Sequence, residues 1–191
     1  MKSILKKIGL TILALVLIVF LAGFVWYRYQ VHCWKKSWKI CAVGNEKFNV
    51  KKYSEAISNY SEAIRLNEYP SHFYNQRGVA KGRMGDFQGE LDDLNKAIYK
   101  NPTNEIYLSN RGQANYELGD DKAAISDFSA AIVLNPENGT NYFWRSRSKY
   151  LSGDTFGALA DVNKAIELAP QFGLALKKRS EWLKELNSQK P

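Results

Sequence analysis

Sliding the chain against itself by 34 residues brings like residues into register over most of its length. Gly44, Gly78, Gly112 and Ser146 share one column, Ala63, Ala97, Ala131 and Ala165 a second, and Ile64, Ile98, Ile132 and Ile166 a third. Glu68, Pro102, Pro136 and Pro170 close the units, and Lys51, Gly85, Gly119 and Gly153 mark their midpoints. A fixed period of this length restricts the fold more than composition does. Each unit is one supersecondary element that buries its apolar face only by stacking on its neighbours, so the chain forms a solenoid.

Within a unit the apolar residues fall three and four apart, as in Ala124, Ile125, Phe128, Ala131, Ile132 and Leu134. That is the helical period with one buried stripe, and two such helices fit per unit. Between them stand Gly85-Asp86, Gly119-Asp120 and Gly153-Asp154, where Gly can take the left-handed conformation that ends one helix and Asp can cap the next. Asn-Pro at 101–102 and 135–136 and Ala-Pro at 169–170 end the second helix, because the residue before Pro is pushed out of the helical region. Gly78 and Gly112, each costing about 1 kcal/mol against Ala inside a helix, point to close helix approach. The expected fold is all-α, with helical hairpins over residues 37–70, 71–104, 105–138 and 139–172 and a capping helix over 173–187. In that cap Leu176, Trp182 and Leu183 form the dry side, Lys177, Lys178, Arg179, Glu181, Lys184 and Glu185 the wet side, and Asn187 to Pro191 fray.

These residues resemble the tetratricopeptide repeat (TPR) family, whose units share a pattern of large apolar, Leu, Gly, Tyr, Ala, aromatic, Ala and Pro. The third unit matches with Gly112, Tyr116 one place late, Ala124, Phe128, Ala131 and Pro136, and the resemblance covers residues 37–172. Glu90 departs from it in the small Ala column beside Gly89, as do Val162 for the aromatic, Ser146 for Gly and Glu68 for Pro. The resemblance implies a right-handed α-solenoid whose first helices line a concave groove that receives an extended peptide or a partner's helix. It places Asn45, Asn75, Gln76, Arg83, Asn110, Gln113, Tyr116, Phe143, Trp144, Arg147 and Tyr150 on or near that face. The amides suit a peptide backbone, and Trp, Tyr and Arg dominate interface energetics. Tyr116 and Phe143 serve equally well as fillers between units. Chaperone-tail binders of the family hold a terminal carboxylate with Lys, Asn, Asn, Lys and Arg. The matching columns here hold Cys41, Asn45, Gln76, Ile106 and Asn110, without the three cations.

The formal charge of +8 is unevenly placed: Lys2, Lys6, Lys7, Arg28, Lys35 and Lys36 supply six of it before residue 37, leaving 8 − 6 = +2 on the repeats. A nucleic-acid binder concentrates its charge on the folded domain, so none is expected here. The basic residues instead flank Ile8 to Tyr27, twenty residues without a charge, long enough at 1.5 Å per residue for the roughly 30 Å bilayer core. Trp26, Tyr27, Tyr29 and Trp34 suit an interfacial aromatic belt. A cleaved signal peptide fits less well, since cutting after Ala22 or Gly23 leaves Phe20 or Leu21 where a small residue is wanted. The expectation is a basic flank over 1–7, an uncleaved signal anchor over 8–27 and a juxtamembrane segment over 28–36. The short basic start favours a cytoplasmic amino terminus, with the repeats across the membrane, in the periplasm if the source is bacterial. No Pro or Gly interrupts Phe24 to Val43, so the anchor runs on, or nearly on, into the first hairpin. Cys33 and Cys41, about 12 Å apart along such a helix, lie beyond disulfide reach of each other. A Cys33 bond between two chains is the remaining alternative to two free thiols.

Catalytic chemistry is missing from the pattern. His32 and His72 have no partner at metal-binding spacing, and no phosphate-binding loop, nucleophile elbow or HExxH occurs. The expectation is no enzyme, no metal and no cofactor. Two function classes stay open: a membrane-anchored interaction module, such as a scaffold or chaperone-like accessory of an envelope complex, and a structural protein that self-assembles through its solenoid.

One correlation inside the chain points to structure. Arg77, Arg111 and Arg145 stand sixteen residues before Asp93, Asp127 and Asp161, whereas the first unit has Val43 with Asn59. Arg accompanies Asp and Val accompanies Asn, which predicts a partly buried, bidentate Arg–carboxylate pair in units two to four. Asp121, by contrast, is expected at an exposed helix start.

Overall fold

Nine helices follow one another among the described residues: α1 Lys2–Asn49, α2 Tyr53–Leu66, α3 Ser71–Gly82, α4 Phe87–Lys100, α5 Glu105–Glu117, α6 Asp121–Leu134, α7 Gly139–Leu151, α8 Thr155–Leu168 and α9 Gly173–Ser188. The chain is represented by a computed structural model that describes the backbone of residues 2–188 and the side chains of residues 15–186 and 188. The expected fraying of Asn187 to Pro191 falls mostly outside them, while Asn187 and Ser188 are still helical, and the side chains of the basic flank 1–7 fall outside them as well.

The hairpins form where the punctuation requires. Gly85, Gly119 and Gly153 take φ of +84°, +78° and +89°, and the following Asp86, Asp120 and Asp154 accept hydrogen bonds from the backbone N–H of Gly89, Ala123 and Gly157. The first unit achieves the same turn with Lys51 at φ +61°, the one non-glycine in that region among the described residues. Without the freedom of glycine this conformation is unfavourable by roughly 1–2 kcal/mol. Close approach explains the other glycine column: a methyl on Gly112 would sit 2.8 Å from the Phe128 ring and one on Gly44 2.6 Å from the Tyr60 ring.

Within each hairpin the two helices pack on one another, α1 with α2, α3 with α4, α5 with α6 and α7 with α8, and hairpins stack through α2, α4 and α6, each of which meets the following odd helix. The odd helices α1, α3, α5 and α7 also touch from unit to unit, so they line the inner face of the stack. The apolar columns are the core: Ala56, Ala63, Ala97, Ala124, Ala131, Ala158 and Ala165 are fully buried, with Tyr60, Leu94, Phe128 and Val162 in the column that carries the large residue.

Helix α1 is continuous from the apolar segment into the first hairpin. Among the described residues it is the one helix long and apolar enough to cross a membrane, by length and composition, which suits a single-pass anchor or a signal sequence alike. Val19 and Phe20 are each 72% exposed, so nothing in the protein covers this stretch. Cys33 and Cys41 are free and buried. The unbroken helix prevents a bridge between them, and burial keeps Cys33 from another chain.

In units two to four the helix crossing is closed by an ion pair. Arg77 donates from Nε and Nη2 to Asp93 at 2.8 and 2.7 Å, Arg111 to Asp127 at 2.9 and 2.6 Å, and Arg145 to Asp161 at 2.7 and 2.7 Å. A second cation, Lys81 or Lys149, reaches Asp93 or Asp161 at 2.7 or 2.8 Å, and in unit three Asn115 takes that place on Asp127 at 2.9 Å. Burial pushes the Asp93 carboxyl up, but Arg77 and Lys81 outweigh it and hold the group below the usual carboxylate range. The third guanidinium donor looks backward: Nη1 of Arg77, Arg111 and Arg145 donates to Ser61, Asn95 and Ser129 on the second helix of the preceding unit. The pair therefore closes its own hairpin and ties it to the one before.

Two expectations need correction. The dry side of α9 is Ala175 and Trp182, while Leu176 and Leu183 are 38% and 41% exposed. Ala175 and Trp182 are seven residues apart, two helical turns, and fall on the stripe facing α8; Leu176 and Leu183 are rotated off it by one position. Asp121 is half-buried against Ser148, and its Oδ1 and the Ser148 hydroxyl have no hydrogen-bond partner among the described residues. Burial pushes its carboxyl up, and the neighbouring Asp120 carboxylate adds to that.

Replacing Asp93 by Ala strands Arg77 and Lys81 where the carboxylate is 1% exposed, and should destabilise the repeats by about 3–5 kcal/mol. Asp92→Ala, one residue away and exposed, should change stability by less than about 0.5 kcal/mol. The urea midpoint of the detergent-solubilised chain separates them, and equal midpoints would contradict the pairing.

Candidate functional site

The inner face divides into three stretches, built mainly from columns of the odd helices. Over units one to three it is an amide ladder. Asn110 donates to Asn75 at 2.8 Å, Asn75 to Gln76 at 3.2 Å and Gln76 to Asn45 at 3.1 Å, while Tyr60 also donates to Asn45 at 2.8 Å. Asn75 is only 5% exposed. The amides expected to meet a peptide backbone are thus largely bonded to one another, because successive odd helices lie close enough for neighbouring columns to satisfy each other. At its start Trp38 stacks on His72, with ring centroids 6.1 Å apart, and burial holds that imidazole below its usual basicity.

The second stretch, over units three and four, is aromatic and cationic. The Arg147 guanidinium lies 4.7 Å from the Tyr116 ring centroid and 4.8 Å from that of Trp144, and the two rings meet edge to face at 5.5 Å. All three side chains are half-buried, so each keeps a face toward solvent. Phe143 is 1% exposed and packs on Phe172, and so belongs to the seam. Tyr150 stacks on Trp182 of α9 at 4.6 Å and hydrogen-bonds Glu185, which removes it from the groove to the junction with the cap.

The third stretch is a recess of about 120 Å³ between units two and three, lined by Val79, Gly82 and Arg83 of α3 and the turn, Phe87 and Glu90 of α4, and Asn110, Gln113, Ala114 and Glu117 of α5. Arg83 is exposed at its rim and Gln113 half-buried. Glu90 is 8% exposed, and among the described residues no hydrogen bond or ion pair reaches its carboxylate. Burial pushes that carboxyl up to about 7, with Arg83 lowering it and Glu117 and Asp86 raising it. In the sequence Glu90 is a departure from a column of small residues, with no signal that ties it to the groove.

At the columns that hold a terminal carboxylate in chaperone-tail binders, Cys41 is buried, with its thiol pushed up to about 11 by that burial. Asn45, Gln76 and Asn110 belong to the amide ladder, and Ile106 is 53% exposed. No cation stands among these five.

The Glu90 carboxyl binds its proton more tightly folded than unfolded, where an ordinary value near 4.5 applies. Between those values the native state holds more protons, so stability falls as pH rises through that window and stays lower above it. The difference in stability between the wild type and Glu90→Ala should therefore shift by on the order of 2 kcal/mol between about pH 5 and pH 8, the variant gaining at the higher pH. Thermal unfolding of both proteins at the two pH values measures it; an unchanged difference would contradict the buried carboxyl.

Comparison with known proteins places this geometry. A tetratricopeptide repeat model matches residues 107–138. The Hsp70-Hsp90 organizing protein of Triticum aestivum is 40% identical over 60 residues, 31% of this chain and 10% of that protein, so the chain spans about a tenth of the length of such relatives. The TPR domain of Arabidopsis OM64 is 30% identical, over 62% of this chain and 98% of that chain, with a TM-score of 0.60. The first TPR of Spaghetti (RPAP3), solved with the HSP90 peptide SRMEEVD, shares the fold at 21% identity, over 61% of this chain and 93% of that chain, with a TM-score of 0.60. The period, the stacked hairpins and these matches have one explanation: the chain belongs to the tetratricopeptide repeat family.

Proposed function

We propose that this chain is a membrane-anchored interaction module whose concave face takes a peptide or helix of a partner protein, as a scaffold or chaperone-like accessory of a membrane complex. The observation that carries the reading is the Tyr116, Trp144 and Arg147 cluster. Three side chains of the types that dominate interface energetics lie together, half-exposed, on the inner face of a rigid stack. The guanidinium is already ordered between two rings, so little freedom is lost when a partner covers it. The first TPR of Spaghetti (RPAP3), which shares the fold and is bound to an HSP90 peptide, supplies the precedent. The chaperone-tail mode itself does not transfer, because its cations are replaced here by Cys41, Ile106 and Asn110.

The anchor is the apolar part of α1, with the repeats on the opposite side of the membrane from the amino terminus. Because α1 continues as the first helix of unit one, the anchor fixes the repeats close to the bilayer rather than on a flexible tether. No catalytic step is assigned to the protein. A second reading, self-assembly through the end of the solenoid, is favoured by Leu174, Leu176 and Leu183, which α9 leaves 48%, 38% and 41% exposed.

A crosslinking pull-down from native membranes tests the groove. The wild type should capture a partner distinct from itself, and Trp144→Ala with Arg147→Ala should reduce that capture by about tenfold or more while the chain stays folded. Capture of only a second copy favours self-assembly, and undiminished capture by the double variant would overturn the site. Protease added to spheroplasts of a bacterial host should remove the repeats; full protection would reverse the orientation.

A further inference from the structure

The recess between units two and three comes from a paired exchange in the repeat. In the column of Phe48, Tyr116 and Tyr150 the second unit has Gly82, and in the column of Ala56, Ala124 and Ala158 it has Glu90. Three units thus combine an aromatic ring with a small residue, and the second combines no side chain with a carboxylate. The two positions touch: a methyl group on Gly82 would overlap the Glu90 carboxylate. Space taken elsewhere by a ring becomes an opening of about 120 Å³, in which Glu90 lies more than nine-tenths buried with no hydrogen bond or ion pair among the described residues. The charged groups facing it are Arg83 at the end of α3, Asp86 in the turn and Glu117 on α5, three carboxylates with Glu90 against one guanidinium. Arg83 stays beyond ion-pair distance and projects into solvent. A buried carboxylate without a partner is an unfavourable arrangement that a bound cation relieves. Gln113 and Asn110 add amide groups at the mouth, on the inner face.

We propose that this recess receives the cationic head of a lysine or arginine side chain from the partner peptide, with Glu90 as its counter-ion. The inference rests on the groove reading and gives it a specificity: one basic residue of the ligand seats between units two and three, and the rest of the peptide runs toward Trp144 and Arg147. Because Glu90 must be ionised to pair, and its burial holds the proton to about pH 7, binding strengthens as pH rises through neutrality.

The test is selection of a displayed random peptide library on the full chain in nanodiscs, with wild type and the isosteric Glu90→Gln in parallel. The wild type should enrich Lys or Arg at one position of the selected peptides. Glu90→Gln should still select peptides but lose that preference, and should bind a wild-type-selected, histidine-free, acetylated peptide roughly tenfold to hundredfold more weakly. Wild-type affinity for that peptide should rise by roughly tenfold between about pH 6 and pH 8, with little change in the variant. Wild-type peptides without a basic preference, or the same preference in the variant, would overturn the inference while leaving the groove reading intact. A wild type that selects no peptides would overturn both.

Discussion

The Arg–carboxylate pair at the helix crossing of units two to four has to be made in full, because either ion left alone in that position is several kcal/mol less stable than in water. The structure meets that demand with two parallel N–H···O bonds per pair, and in each case a further donor satisfies the carboxylate. Net stabilisation by such a pair is small. Its effect is on specificity: the guanidinium fork fixes the crossing of the two helices, and its remaining donor reaches the preceding unit. Register therefore passes along the stack through Ser61, Asn95 and Ser129, and the apolar columns fill in around it. The first unit, with Val43 and Asn59, lacks the pair, and its crossing is instead closed by Tyr60 packing over Gly44 and bonding Asn45.

A rigid stack allows a groove to carry exposed aromatic and cationic groups without collapsing around them. The amide ladder from Asn110 to Asn45 ties together the inner face of the first three units. In the proposed reading, recognition falls to side chains outside that ladder: Glu90 in its recess and the Tyr116, Arg147 and Trp144 cluster. Helix α9 closes the far end of the inner face through Trp182 on Tyr150.

Much of the fold is legible because a repeat writes each contact several times. Gly85, Gly119 and Gly153 announce the turns, and the Arg and Asp columns announce the pair because Val43 and Asn59 change together in the unit that lacks it. What repetition does not write is harder to see. Helix α9 has no sister helix to fix its phase, so its sequence points one position off, to Leu176 and Leu183 instead of Ala175 alongside Trp182. Tyr150 follows the groove column by period, yet α9 covers it. Asp121 looks like a solvated helix start, but α7 brings Ser148 against it. Of the groove itself, Trp144 and Arg147 could be picked by type and column, whereas the pairing of the amides depends on distances between helices that no spacing encodes. Glu90 stands out in the sequence as a lone departure, and only its contact with Gly82 in the fold joins the two into one exchange.

The claim that the pair acts as one unit is tested most directly by a double-mutant cycle with Arg111→Met, Asp127→Leu and the combined change, read as unfolding free energies of the full chain. Each single change should be strongly destabilising, and the combination should recover most of the loss, with a coupling of at least about 2 kcal/mol. Losses that simply add would show that Arg111 and Asp127 are independent, and the register would then have to be set by the apolar columns alone.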